Sequence, residues 1–516
     1  MKNFGNKLKS FILKNKLYVI CAGFLLLANI IILIAVYINY HSVLDDTFKI
    51  ILTVSIILEI IMCFVLYIAR KHHWRIENLF LVLGLSTGLL YAFAIPLSCV
   101  PDEIAHFFRI YEISDGYITT TVSDNGLFTG SVQPVNLQLT MSNLVQGKVK
   151  YSQIIEKLDY YDEEPEDFAA NSAGGYSIIS YLPHTVGMFI GKTLNLPIIV
   201  SAYIARVFHL VTCIIILYFC IKYLPFLKFF VFYFAFLPMC MQSMASLSAD
   251  GFLICCSFAL ITFVLHATFN TSFRIKPKHL LLLLLLCLVI SLGKYIYSPI
   301  CLLLFTIPKE RFGNLTRKLI TIFSLGIITV VSLLIWLRSV PALSSVTDTS
   351  AQINTLVHSP FSFIGILFKT IIVKTPVYAG QIFGRFLEWY TLVLSFAYVI
   401  PLFLCFVYII IKERKNAFIS RWFRILSIFA ISFAVLASLL IMYIQWTPTD
   451  ADVIQGVQGR YFMPLFLLIP IITFPAQKNK KITKNTSFPV YQNNYIYLFI
   501  IFETVYALSA AVCFHI

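Results

Sequence analysis

At 516 residues, 59% hydrophobic and 16% aromatic but only 12% charged, with a mean hydropathy of +0.85, the chain is composed for a bilayer. Apolar runs of ~20 residues recur along it, which no water-soluble core requires. The net charge of +15 is gathered in alternate short loops, the bias that retains Lys and Arg in the cytoplasm, so it marks orientation and no nucleic-acid partner is expected.

Taken in order, the runs 17–40, 48–69, 78–98, 197–221, 228–244, 249–270, 278–292, 295–308, 319–339, 388–411, 423–444, 459–475 and 494–514 read as about thirteen spans of an all-α integral membrane protein. Lys2, Lys7, Lys9, Lys14 and Lys16 precede the first run. Basic residues recur at 70–75, 222–228, 274–278, 309–318, 412–424 and 478–484, all on the same side if the spans alternate, which predicts a cytoplasmic N-terminus. The first run is too long for a signal-peptide core and no small-residue cleavage site follows it, so it is expected to remain as an anchor.

The acids go to the other side. External loops are predicted at 99–196, 340–387 and 446–458, the first long enough to fold against the membrane with short helices of its own. Within the second, residues 360–377 are apolar but carry Lys369 and Lys374, which fits a helix lying in the interface. The acidic patch from Asp159 to Asp167 reads as a solvated surface. The organisation expected is an N-terminal helix pair at 1–77, a transmembrane core at 78–475, and a cytoplasmic loop with a last helix at 476–516.

Twelve cysteines lie almost entirely within the runs, so no disulfide framework is implied. Walker, dinucleotide, zinc and nucleophile-elbow patterns are absent from the sequence, and the energy for any reaction must arrive with the substrate. The abundance of Ile, Lys, Phe and Asn points to an AT-rich bacterial source.

The stretch Val100-Pro101-Asp102-Glu103-Ile104-Ala105-His106-Phe107-Phe108-Arg109, leading to Ser114-Asp115-Gly116, crowds four ionisable side chains onto the end of an apolar run. Pro101 suits a first helical position, and Asp102 and Glu103 then occupy the first turn, where free N–H groups favour negative charge. At 3.6 residues per turn Asp102, His106 and Arg109 share a face. That face carries a base, a second titratable group and a fixed cation; a plain capped helix with an Asp–Arg pair has the same spacing. Lys294, at the outer ends of two short runs, is either a snorkelling side chain or a site cation, and Arg460 is either a lipid anchor or the same. Asp250 reads as a helix cap, His184 as a polar surface residue, and Arg206 and His209 as structural or cavity-lining. Asp102, Glu103, His106, Arg109, Lys294 and Arg460 all map to the outer face. Carboxylates and cations converging there suit a lipid phosphate, the cations holding the phosphate and a carboxylate activating an attacking group.

Pro101-Asp102-Glu103 with His106 and Arg109, Ser114-Asp115-Gly116, Tyr181-Leu182-Pro183, Ala205-Arg206, Ser248-Ala249-Asp250, Gly293-Lys294-Tyr295 through Pro308, and Gly459-Arg460-Tyr461-Phe462-Met463-Pro464 together resemble, over about 80–475, a bacterial membrane family of unknown function placed in the GT-C glycosyltransferase superfamily. The resemblance implies a GT-C-like bundle in the bacterial cell membrane, a polyprenyl-phosphate sugar donor bound at the outer face, and a glycan or teichoic-acid-like acceptor. It gives Asp102 or Glu103 the acidic role, as catalytic base or as ligand to a divalent metal such as magnesium or manganese, with hard carboxylate oxygens suiting either ion. His106, Arg109, His184, Lys294, Tyr295, Arg460 and Tyr461 are then the candidate substrate-binding residues. The acidic loop follows the third span where the superfamily has it after the first, so residues 1–70 look like an added pair of helices. A carrier or flippase for lipid-linked glycans is the rival from another class, and a polysaccharide polymerase is chemically close. Transporters show internal repeats and polar groups at mid-membrane, whereas this chain shows no repeat and gathers its charges at one face.

Overall fold

The computed structural model describes residues 16–41, 44–122, 128–134, 149–158, 165–169, 172–340, 348–414, 418–475 and 494–516. The lysines at 2, 7, 9 and 14, the basic loop 478–484, positions 415–417 and the acidic residues at 159–164 lie outside them. Ten helices among the described residues are long and apolar enough to cross a membrane, and the chain is an all-α membrane protein in its main body. All but one fall where spans were expected.

The exception is Pro360–Ile382, a continuous 23-residue helix where a shorter interfacial one was expected. It is held along its length by the end of helix Arg421–Trp446 and the connection after it. Phe363 packs on Tyr443, Lys369 pairs with Asp452, Thr370 Oγ1 accepts from the Ile454 N–H, and Gln381 Oε1 accepts from the Gly459 N–H.

The remaining expected spans are shorter or broken. Residues 228–244 fold as Lys228–Ala235 and Pro238–Met244, because Pro238 has no N–H to continue the first helix. Helix Pro277–Gly293 has 17 residues, and Tyr295–Thr306 is a 3-10 helix. The run 459–475 splits into Gly459–Leu465 and Leu468–Thr473, each with an internal proline. The expected start at 388 moves to Phe396, since Phe386–Leu387 and Leu392–Val393 pair as a hairpin.

The long segment after the third helix holds helices Glu103–Ser114, Tyr151–Ile155 and Leu182–Thr193. It also holds a three-stranded antiparallel sheet of Thr121–Val122, Phe128–Pro134 and Pro165–Ala169, which the expectation of short helices alone did not include. Helix Leu182–Thr193 returns against Ile198–Tyr223 at backbone contact. Gly187 and Gly191 permit this, for a Cβ on Gly187 would stand 2.7 Å from the Ala205 Cα and one on Gly191 2.8 Å from the Ser201 Cα. Helices Lys16–His41 and Asp46–Lys71 pack against Asn494–His515.

Four helix ends meet. The turn before Glu103–Ser114, the start of Asp250–Phe269, the junction after Pro277–Gly293 and the start of Gly459–Leu465 bring Asp102, Asp250, Lys294 and Arg460 together.

Candidate functional site

The helix expected to begin at Pro101 begins at Glu103. Asp102 stands just before it in the left-handed region, with φ of 63°, and caps nothing. A non-glycine residue there costs about 1–3 kcal/mol and persists where the surroundings impose it. The turn sends the two neighbouring acids apart.

Glu103 goes inward and is 1% exposed. Its Oε1 accepts from Arg206 Nε at 2.8 Å and the Leu247 N–H at 3.0 Å, and its Oε2 from Arg206 Nη2 at 2.6 Å and the Ser98 N–H at 3.0 Å. Arg206 spends its other donors on the carbonyls of Ala92, Ile95 and Pro96. This carboxylate is saturated and ties the segment to helix Ile198–Tyr223. Asp102 goes toward the open side, its side chain 36% exposed, and accepts from Arg460 Nη2 at 2.5 Å.

Arg460 is the hub. Its Nη1 donates to the Pro101 carbonyl at 3.0 Å and reaches Ser248 Oγ at 3.4 Å, and its Nε donates to Gln458 Oε1 at 2.6 Å. That Nε also lies 3.3 Å from Asp250 Oδ2. The other oxygen of Asp250 accepts from Lys294 Nζ at 2.6 Å. Asp102, Arg460, Asp250 and Lys294 thus alternate in sign and sum to zero, the arrangement under which buried charges are tolerated. Arg460 has committed nearly all its donors. Lys294 has given one of three to Asp250, and its Nζ stands 4.3 Å from the Tyr461 ring centroid and 5.8 Å from that of Tyr176.

Aromatic side chains wall the cluster. His106 Nδ1 and the Tyr181 hydroxyl are 2.6 Å apart, the Tyr297 hydroxyl donates to the Tyr461 carbonyl at 2.5 Å, and the Tyr390 hydroxyl donates to Gln458 at 2.9 Å. His106 is 4% exposed, and burial pushes its pKa from 6.5 down to about 4 despite Asp102 and Asp250 nearby, so the ring is neutral at pH 7. Tyr295, at the start of its 3-10 helix, is 46% exposed. Gly459 lets this segment reach the wall, since a Cβ there would meet the Tyr378 carbonyl at 2.5 Å.

Two expected residues lie elsewhere. Arg109 donates to Glu112 Oε2 at 2.7 Å and to the carbonyls of Ile118 and Tyr176, so it braces the long segment after the third helix and pairs with neither Asp102 nor a shared anion site. His184 is not a surface residue. It is fully buried, stacked on His209 at 3.9 Å, with Nε2 3.3 Å from the Ser246 carbonyl.

A metal bound jointly by Asp102 and Glu103 does not fit, because the carboxylates diverge and Glu103 is filled by Arg206. Among the described residues no three His, Cys, Asp or Glu side chains gather as a metal site. Asp250 is the central residue read locally only as a cap; Tyr181 is visible only as part of the Tyr181-Leu182-Pro183 motif, Gln458 only as the neighbour of Gly459, and Tyr176 and Tyr390 carry no sequence signal.

Residues 85–469 match a family described as predicted membrane protein (DUF2142). No curated protein and no solved structure matches the chain.

Proposed function

We propose that this chain, which belongs to the DUF2142 family of predicted membrane proteins, is a membrane glycosyltransferase that moves a sugar from a polyprenyl-phosphate donor to a cell-envelope glycan or similar acceptor at the outer face of a bacterial membrane. The observation that carries the reading is the half-exposed Asp102 carboxylate held by Arg460 beside a Lys294 ammonium with donors to spare. A base and an anion-holding cation lie next to each other, walled by tyrosines of the kind that stack on sugar rings. The resemblance to GT-C enzymes supports the same reading.

The displacement is inverting and single-step. Asp102 takes the proton from an acceptor hydroxyl as that oxygen bonds to the anomeric carbon, the bond from that carbon to the phosphate oxygen breaks, and polyprenyl phosphate leaves with its charge facing Lys294 and Arg460. His106, neutral and buried, shapes the site without supplying the proton transfer. Asp250 holds both cations in place.

The test is purified protein in sealed proteoliposomes supplied with labelled polyprenyl-phosphate sugars and envelope glycan acceptors. Labelled acceptor is expected. Labelled donor crossing the bilayer unchanged, with no labelled product, would instead identify a carrier.

A further inference from the structure

Outside the matched residues, helices Lys16–His41, Asp46–Lys71 and Asn494–His515 form one unit joined by polar bonds within an apolar bundle. Asn29 Nδ2 donates to Glu59 Oε1 at 2.8 Å and to the Phe502 carbonyl at 2.9 Å, the hydroxyls of Ser55 and Ser509 are 2.5 Å apart, and His41 Nε2 lies 2.7 Å from the Cys513 carbonyl. Such bonds fix the register of Asn494–His515 against its neighbours.

That register delivers His515 to a closed site. The ring is 1% exposed, with Nδ1 2.7 Å from the Val149 carbonyl and Nε2 2.9 Å from Glu388 Oε1. A carbonyl only accepts, so Nδ1 carries a hydrogen, and one further proton is shared between Nε2 and Glu388. Either placement leaves the pair neutral overall, as its full burial demands. Glu388 and Tyr390 sit in the hairpin turn, both at positive φ, of 58° and 65°. Three contacts lead from this turn to the site. The Glu388 N–H donates to Gln242 Oε1 at 2.9 Å, Trp389 Nε1 donates to the Ser98 carbonyl at 3.0 Å, and the Tyr390 hydroxyl donates to the same Gln458 oxygen that accepts from Arg460 Nε.

We propose that His515 is a positioning residue: through Glu388 it holds the hairpin at 386–393 so that Tyr390 and Gln458 orient Arg460 toward a bound phosphate. The three helices outside the matched residues thereby complete the site. The consequence for transfer rests on the glycosyltransferase reading, whereas the consequence for the hairpin does not.

The full chain in nanodiscs is compared with His515→Leu and Glu388→Gln by hydrogen exchange across 386–393, with helix Ile198–Tyr223 as internal reference, and by donor KM and kcat. In Glu388→Gln the amide donates to Nε2 while Nδ1–H keeps Val149, so the connection survives. His515→Leu is expected to raise exchange in the hairpin roughly tenfold with the reference unchanged, and to raise donor KM about 3- to 10-fold with kcat nearly held. Glu388→Gln is expected to stay near wild type in both. Wild-type exchange in His515→Leu, an equal rise in the reference helix, or equal damage in the two variants would overturn the proposal. If the wild type itself transfers no sugar, the glycosyltransferase reading fails, and the exchange data still decide the role of His515.

Discussion

Asp102 and Glu103 are adjacent in sequence yet answer to different partners, and the difference sets what each substitution does. Removing the charge of Glu103 leaves Arg206 buried among carbonyls without its counter-ion. Breaking a buried pair in this way typically costs about 3–5 kcal/mol, so Glu103→Gln is expected to lower the unfolding temperature markedly in detergent. An unchanged melting curve would contradict the structural role. Asp102 is half exposed, and its asparagine variant keeps the size and one acceptor for Arg460. Asp102→Asn is expected to melt with the wild type and to lose transfer by ~10²–10⁴-fold, the usual worth of a general base.

His106 gives a pH prediction of definite sign. Its folded pKa lies near 4, below the ordinary 6.5, so the unfolded chain binds a proton that the folded one refuses between those values. Its contribution to stability is present above pH 6.5 and is lost as pH falls toward 4. Stability of the wild type should therefore fall more steeply across that window than that of His106→Gln, and the rate profile should show no break near 6.5 due to this ring. A break there that vanishes in His106→Gln would assign it a proton-transfer role instead.

At the scale of elements, the long apolar helices were legible because periodicity and length are local properties. The shortened pieces were less so. Pro238, Pro299, Pro464 and Pro470 were visible in sequence, but whether a proline kinks a span or divides it depends on what packs around it. The hairpin at 386–393 had no glycine or asparagine signal at its turn, since its left-handed positions are Glu388 and Tyr390. Partners were the least legible of all. Asp250 reads locally as a cap, and only the fold places Lys294, 44 residues later, on it. Arg109 shares a helix face with Asp102 only if the helix begins at Pro101; it begins two residues later, at Glu103, which leaves Asp102 outside it, and Arg109 pairs with Glu112.

The close approach of Leu182–Thr193 to Ile198–Tyr223 is testable at this scale. In Gly187→Val the new side chain meets Ala205 backbone, which cannot rotate away, and overpacking of about 1–3 kcal/mol is expected as a lowered unfolding temperature. Gly326, with nothing within 4 Å of its Cβ position, is the control: Gly326→Ala should leave the melting curve in place. Equal stability of both variants would contradict the packing.

At the scale of the whole molecule, we propose that the basic loops mark the cytoplasmic face and that the charged cluster opens on the other. Arg414→Cys is therefore expected to react with an impermeant thiol reagent only after the membrane is opened, and Asp450→Cys in intact cells; both positions are exposed. The reverse pattern would invert the orientation and put the site in the cytoplasm.

The central claim is that Asp102 acts on a bond while the cations hold the phosphate, and one paired measurement addresses it. Equilibrium binding of a polyprenyl-phosphate sugar and its transfer to acceptor are measured on wild type and Asp102→Asn in the same nanodiscs. A general base acts in the transition state and contributes little to holding the resting phosphate. Binding by Asp102→Asn is expected to match the wild type while transfer falls by ~10²–10⁴-fold. Transfer that persists, or binding and transfer that fall in proportion, would contradict the assignment of Asp102 as the base of a glycosyltransferase.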